Sequence, residues 1–125
     1  MTQFYSGLLD FDDDILTVKR LAIVGDKEAV LDATLTWNGA PWSFQARAKA
    51  LPTSADTFIF KAHCRDMSTG RPGYTSSTES SLRLQVTVED DELEVNGVWQ
   101  EGNDPELYEV GGLLERVYDP SMTRQ

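Results

Sequence analysis

His63 and Cys64 are the residues whose types could form a catalytic pair, with a thiol nucleophile and an imidazole base. They end the run Phe58, Phe60, Ala62, Cys64, in which apolar residues alternate with polar ones, as is typical of a half-buried strand. Because neighbouring residues on a strand point to opposite faces, the two side chains cannot meet. We therefore expect Cys64 to be a buried apolar residue and His63, the only histidine, to be exposed among cations.

Two groups of carboxylates could bind a hard cation such as calcium. The stretch 10–14 resembles the opening of an EF-hand loop, but Ile15 and Leu21 stand where that loop needs glycine and glutamate. The second group is the acidic run 89–92. We expect both groups to be solvated turns and predict no metal. A single histidine also excludes a histidine pair for zinc, and no pattern predicts a cofactor or a catalytic residue.

Two short motifs match known families in letters only. Gly70-Arg71-Pro72-Gly73 has the GxxG pattern of KH domains, but that loop joins helices in a basic RNA-binding domain. Gly97-Val98-Trp99 has the G-x-W pattern of lipocalins, where the element lies on the first strand rather than near the end. We assign the chain to neither family.

The elements that must position all these residues are antiparallel strands. Asn38-Gly39 supplies the two positive φ angles of a type I′ hairpin turn, which predicts that Leu35 faces Trp42 and that Ala33 faces Phe44. The apolar residues of both strands then share one face, and a slip of one residue would destroy the match. This hairpin is the strongest local signal in the chain.

Further hairpins follow on either side of it. A five-residue loop at 51–55 predicts Ala48 opposite Phe58, and a turn at 90–91 predicts the outward pair Glu89 and Glu92. Gly111-Gly112 predicts a β-bulge or a close approach of backbones. Two segments stay undecided. Apolar residues on both faces hide the register of strand 15–24, and the polar segment 66–80 is either a loop without a role or a binding loop.

These patterns predict an all-β fold, an antiparallel up-and-down meander of about eight strands that forms a small closed or partly open barrel, lipocalin-like in architecture only. We expect a single domain over residues 1–118 and a C-terminal tail over 119–125. The chain has no uncharged apolar stretch of about 20 residues, so we expect no membrane partner and a cytoplasmic location. Exposed edges of a partly open sheet would allow a homodimer as well as a monomer.

Charge is distributed unevenly along the chain, whose net charge is −10. Residues 43–85 carry a charge of +3, whereas residues 1–42 and 86–125 carry −4 and −9. The acidic total argues against nucleic acid as a partner, because phosphate neutralisation needs an excess of lysine and arginine. The predicted registers place most of the mid-chain cations on one outer face, near the apolar Ile59 and the long loop. The predicted binding residues are Arg47, Lys49, Lys61, His63, Arg65, Arg71, Tyr74 and Arg83.

Such a cationic face is repulsive unless something neutralises it. Acidic residues of the C-terminal third could do so within the molecule. Otherwise the face binds a partner, and we expect a non-enzymatic acidic β-barrel protein that binds another macromolecule, as an inhibitor, immunity protein or accessory protein does. The alternative is a carrier of a small apolar or anionic ligand in the barrel interior, where small inward residues such as Ala46 and Ala62 leave room. An enzyme ranks third.

Overall fold

The computed structural model describes residues 2–25, 27–37, 40–66, 74–75, 79–102 and 105–117, which form strands and no helix. No described segment is therefore a helix of the length and apolarity that crosses a membrane. The strands are β1 (Thr2–Phe11), β2 (Asp14–Val24), β3 (Glu28–Trp37), β4 (Ala40–Leu51), β5 (Ser54–Ala62), β6 (Arg65–Asp66), β7 (Tyr74–Thr75), β8 (Ser80–Glu89), β9 (Glu92–Glu101) and β10 (Leu107–Val117).

Eight long strands form a closed antiparallel barrel. The order in the sheet is β3-β2-β1-β10-β9-β8-β5-β4, and a further pairing of β3 with β4 closes the ring. The two short strands β6 and β7 pair with each other beside β4. The prediction of an all-β meander barrel is confirmed, in its closed form. Closure gives each long strand a partner on both edges, so pairing of free edges is not a route to a dimer here.

Two predicted hairpin registers are confirmed. Leu35 faces Trp42 across β3 and β4, although residues 38–39 themselves lie outside the described part of the chain. Glu89 faces Glu92 across β8 and β9 around the turn at 90–91. Glu92 also faces Glu115 on β10, so three acidic side chains lie in a row on the outside of the barrel. Like charges directly opposite one another destabilise a sheet.

The predicted register of β4 and β5 is wrong by two residues. Phe58 faces Ala50 rather than Ala48, although β4 extends to Leu51 and only residues 52–53 form the turn. Residues 55–57 then bulge out between the pairs Leu51–Ser54 and Ala50–Phe58. Hydrogen bonds among the side chains of residues 54, 56 and 57 favour this local structure over a regular ladder. A shift of two residues keeps each side chain on its predicted face.

A β-bulge at Lys19 resolves the register of β2. Val18 pairs with Ala33 and Arg20 pairs with Asp32, so β2 has one residue more than β3 between these pairs. The extra residue reverses the side-chain alternation: Leu16 and Val18 point inward before the bulge, and Leu21 and Ile23 point inward after it. The inward apolar residues before and after the bulge therefore lie on one face of the folded strand, although a regular alternation would place them on two faces.

The inward side chains form one hydrophobic core that fills the lumen. Trp99 lies near its centre, with ring centroids 5.5 Å from both Phe11 and Phe44. Tyr108 stacks on Phe11 at 5.8 Å. The indole Nε1 of Trp99 is the one buried side-chain polar atom of the described residues without a hydrogen-bond partner. Cys64 is buried in the same core, as predicted.

The predicted irregularity at Gly111-Gly112 is a close approach of backbones. Gly112 has φ +148°, and a Cβ atom there would lie 3.4 Å from the carbonyl oxygen of Leu8. Gly7 has φ +150° on the neighbouring strand, and its Cβ would lie 3.2 Å from Leu114 Cδ2. The register of β10 with β9 shows no shift, so no bulge forms there. Two glycines facing leucines across β1 and β10 allow strong curvature where the first and last strands pair.

The segment 66–80 is less loop-like at its ends than predicted. Asp66 pairs with Trp42 and with Tyr74, and Ser80 is the first residue of β8. Residues 67–73 and 76–78 lie outside the described part of the chain, as do residue 118 and the predicted tail 119–125.

Candidate functional site

Four of the predicted binding residues lie together on the outer wall of the barrel. Along β4 and β5 the pairs Ser43–Arg65 and Ala50–Phe58 have the same register, which places Arg47 beside Lys61 and Lys49 beside Ile59. Ile59 in turn faces Arg83 on β8. Arg47, Lys49, Lys61 and Arg83 therefore surround Ile59, and we call these four cations the cationic patch.

Among the described residues, few interactions neutralise the cationic patch. Arg47 Nη1 lies 3.1 Å from Glu28 Oε1, and the Arg47 side chain is 72% exposed. Lys61 Nζ donates a hydrogen bond to Ser81 Oγ at 2.8 Å. The side chains of Lys49 and Arg83 form no hydrogen bond or ion pair with any other described residue, although Glu28 faces Lys49 across β3 and β4. An exposed ion pair contributes roughly 0–1 kcal/mol, so the patch stays available to a partner.

The cationic patch has an apolar side. Arg83 stands between Ile59 on β5 and Val98 on β9, both of which are partly exposed on the outer wall. A shallow cavity of about 210 Å³ lies next to it, lined by Arg83, Gln85, Asn96, Gly97 and Val98. Adjacent strands are about 5 Å apart, so the backbones of Lys49 and Arg83 are about 10 Å apart with Ile59 between them. Cations spaced around apolar side chains suit a macromolecular interface.

The other predicted binding residues are only partly described. His63 is exposed at the end of β5, on the side opposite to the buried Cys64, so the two do not form a dyad. The backbone of Arg65 pairs with Ser43 on β4, and that of Tyr74 pairs with Asp66 on β6, one strand farther from β4, but the side chains of both are outside the described structure. Arg71 lies wholly outside the described residues.

Charge is segregated around the barrel. In the closed order, β4 and β5 are diametrically opposite β10 and β1. The exposed acidic residues of the opposite wall include Asp10, Glu109 and Glu115, and β9 adds Glu92 and Glu94. Among the described residues none of these forms an ion pair with the cationic patch, whose one ion pair comes from β3. No ion pair between the C-terminal acids and the cationic patch, one alternative from the sequence, is therefore formed among the described residues.

Sequence reasoning missed a second site at one end of the lumen. A cavity of about 650 Å³ opens at the end where β1 begins and β8 ends, and we call it the mouth. It is lined by Gln3, Ile23, Ser54, Asp56, Phe58, Val86, Thr87 and Val88. Asp56 Oδ1 accepts hydrogen bonds from Ser54 Oγ at 2.5 Å and from Thr57 Oγ1 at 3.2 Å. In the sequence, the polar residues Ser54, Asp56 and Thr57 are the only indication of this site, and such residues are equally typical of a loop without a role.

Hydrogen bonding and burial shift the pKa values of three groups. The hydrogen bond from Ser54 is the largest of several that hold the pKa of Asp56 below its usual value. Burial raises the pKa of Tyr5, against the opposing charge of Arg116. Burial, with a smaller effect of Glu101, raises the pKa of Cys64 to about 11, which makes this thiol a poor nucleophile at neutral pH. The described residues contain no group of three or more histidine, cysteine or acidic side chains arranged to hold a metal ion.

Comparison of the sequence with protein families and with curated proteins, and of the structure with solved structures, found no match. The cationic patch and the mouth are therefore the two features from which we infer a function.

Proposed function

We propose that the protein is a non-enzymatic binding protein whose cationic patch binds an acidic surface of a partner protein. The observation that carries this proposal is the position of Lys49 and Arg83, which flank Ile59 and whose side chains have no ion pair or hydrogen bond with another described residue. Cations that lie close together around an apolar residue repel one another in the free protein. A carboxylate-rich partner relieves that repulsion and covers Ile59 at the same time.

The overall charge favours a protein over nucleic acid as the partner. The chain has a net charge of −10, so the long-range field repels a polyphosphate, whereas a protein that places a few carboxylates on the patch has no such extended charge. Charge segregation between the patch and the opposite wall also orients an approaching partner and so increases the association rate.

The alternative, carriage of a small apolar or anionic ligand inside the barrel, has less support. The side chains at the centre of the lumen, such as Trp99 and Phe11, are buried against one another. The space that is left lies at the mouth, where the carboxylate of Asp56 disfavours an anion.

Affinity capture from native lysate tests the proposal with three baits: the unchanged protein, Arg83→Glu and Lys19→Glu. Each substitution changes the charge by the same amount, but Lys19 is an exposed residue of the β2 bulge, away from the patch. We expect a protein that is captured by the unchanged bait and by Lys19→Glu, is lost with Arg83→Glu and dissociates in high salt. Recovery of no specific protein, or equal capture by all three baits, would contradict the proposal.

A further inference from the structure

The mouth combines an apolar floor with a negatively charged rim. Ile23, Phe58 and Val86 form the floor and are each at least nine-tenths buried. Val88 also lies on the inward face of β8, but 59% of its surface is exposed because no described side chain covers it. An apolar residue that points into an open lumen is a surface for an apolar group to cover.

The β3–β4 side of the lumen has small residues at this end of the barrel. Ala29 faces Ala48 across β3 and β4, and the next inward residue on β4 is Ala50, which faces Phe58. The cavity spans the lumen between β1 and β2 on one side and β5 and β8 on the other, which are opposite each other in the closed ring. Its volume of about 650 Å³ is in the range of small-molecule sites.

Asp56 places a fixed negative charge at the rim. Its carboxylate is oriented by Ser54 and Thr57, and Thr57 is itself only 2% exposed. The acidic turn 89–92 directly follows Val88 and adds negative potential at the same end of the barrel. The cation that faces inward nearby is Arg116, which pairs with Tyr5 on β1, already has an interaction within the molecule and does not line the cavity.

We propose that the mouth is a binding site for a small amphipathic cation, an ammonium group attached to an apolar chain. The ammonium would lie on the carboxylate of Asp56, and the chain would lie across the open end of the lumen and cover Val88 above the buried floor. A charge-assisted hydrogen bond at the rim and burial of the chain are the two sources of affinity. An anion of the same length has the same apolar contacts and is repelled at the rim.

The test titrates the full chain with octylammonium, octanol and octanoate below their aggregation concentrations, by calorimetry and by amide chemical shifts. We expect octylammonium to bind about 10-fold or more tightly than octanol, octanoate not to bind, and the shifts to cluster at the residues that line the mouth. Equal binding of octylammonium and octanol would overturn the role of Asp56, and tighter binding of octanoate would reverse the assigned charge. Absence of binding by all three would overturn the site.

Two pairs of variants separate the mouth from general attraction to an acidic protein. Asp56→Asn should weaken octylammonium binding about 10-fold, whereas Asp12→Asn removes the same charge at the opposite end of the barrel and should leave binding unchanged. Val88→Trp should fill the mouth and abolish binding. Leu107→Trp is its control, because Leu107 is also 59% exposed and lies at the other end. Equal effects of the two members of either pair would overturn the proposal.

Discussion

Replacement of Gly97 by alanine should destabilise the barrel through a steric clash with β8. A Cβ atom built on Gly97 lies 2.4 Å from the carbonyl oxygen of Arg83 and 2.6 Å from Leu84 Cδ2. The first neighbour is backbone, so relief requires β8 and β9 to move apart by about 1 Å. Overpacking of this kind lowers the free energy of unfolding by about 3 kcal/mol. Alanine also reduces the conformational freedom of the unfolded chain, which offsets about 0.7 kcal/mol of that loss. The expected loss is about 2 kcal/mol in the free energy of unfolding.

Gly111→Ala is the matched control for Gly97→Ala. Both glycines lie within strands, and neither has a positive φ angle, so the effect of alanine on the unfolded chain is the same for the two. A Cβ atom on Gly111 would lie 3.3 Å from the carbonyl oxygen of Val95, which a shift of a few tenths of an ångström accommodates. We expect Gly111→Ala to change the free energy of unfolding by less than about 1 kcal/mol.

Urea unfolding followed by tryptophan fluorescence, to which the buried Trp99 contributes, measures both variants on one signal. The Gly97→Ala midpoint should fall at an unchanged m-value, and its Tm should be lower by about 8 °C. The close approach of β8 and β9 would be refuted if Gly97→Ala were as stable as Gly111→Ala. A changed m-value would instead point to an altered unfolded state.

Three further predictions concern single side chains. Cys64 should react with a disulfide reagent far more slowly in the native protein than in urea, because a pKa of about 11 leaves roughly one thiol in a thousand ionised at pH 8. Glu92→Lys should stabilise the barrel by about 1 kcal/mol in low salt, because an acid faces position 92 on each neighbouring strand. Asn96→Lys should give no such stabilisation, because no acid faces position 96. Urea unfolding at two salt concentrations measures both effects. The hydrogen bond from Ser54 holds the pKa of Asp56 below 3.8. This carboxylate therefore stabilises the fold above about pH 4 and loses that effect as the pH falls through the lower folded pKa. Urea unfolding across this pH range should show the stability difference between the unchanged protein and Asp56→Asn falling to zero at the acidic end.

Local patterns predicted the faces of the strands well, because the alternation of apolar residues is a property of each strand alone. The turn at Asp90-Asp91 and the pairing of Leu35 with Trp42 needed only turn chemistry and a shared apolar face. The burial of Cys64 followed from the same alternation. None of these features depends on which distant strand completes the sheet.

Features that depend on side-chain hydrogen bonds or on closure were not predictable in this way. Apolar residues on both faces of strand 15–24 show that the alternation breaks, but they do not show that Lys19 is the extra residue, because a lysine in an exposed strand position looks the same with or without a bulge. The register of β4 with β5 depends on the hydrogen bonds of Ser54, Asp56 and Thr57, which the pattern of apolar residues does not contain. The mouth depends on closure, since Gln3 and Val88 come from strands far apart in the chain.

The cationic patch and the mouth should act independently, because they share no residue and use opposite charges. The patch lies on the outer wall of β4, β5 and β8, and the mouth opens at one end of the lumen. Arg83→Glu should therefore abolish capture of an acidic partner and leave octylammonium binding unchanged, and Val88→Trp should do the reverse. If either substitution impaired both activities in a folded protein, the two surfaces would belong to one site, and a single ligand that spans the wall and the end of the barrel would explain the charge pattern better than two.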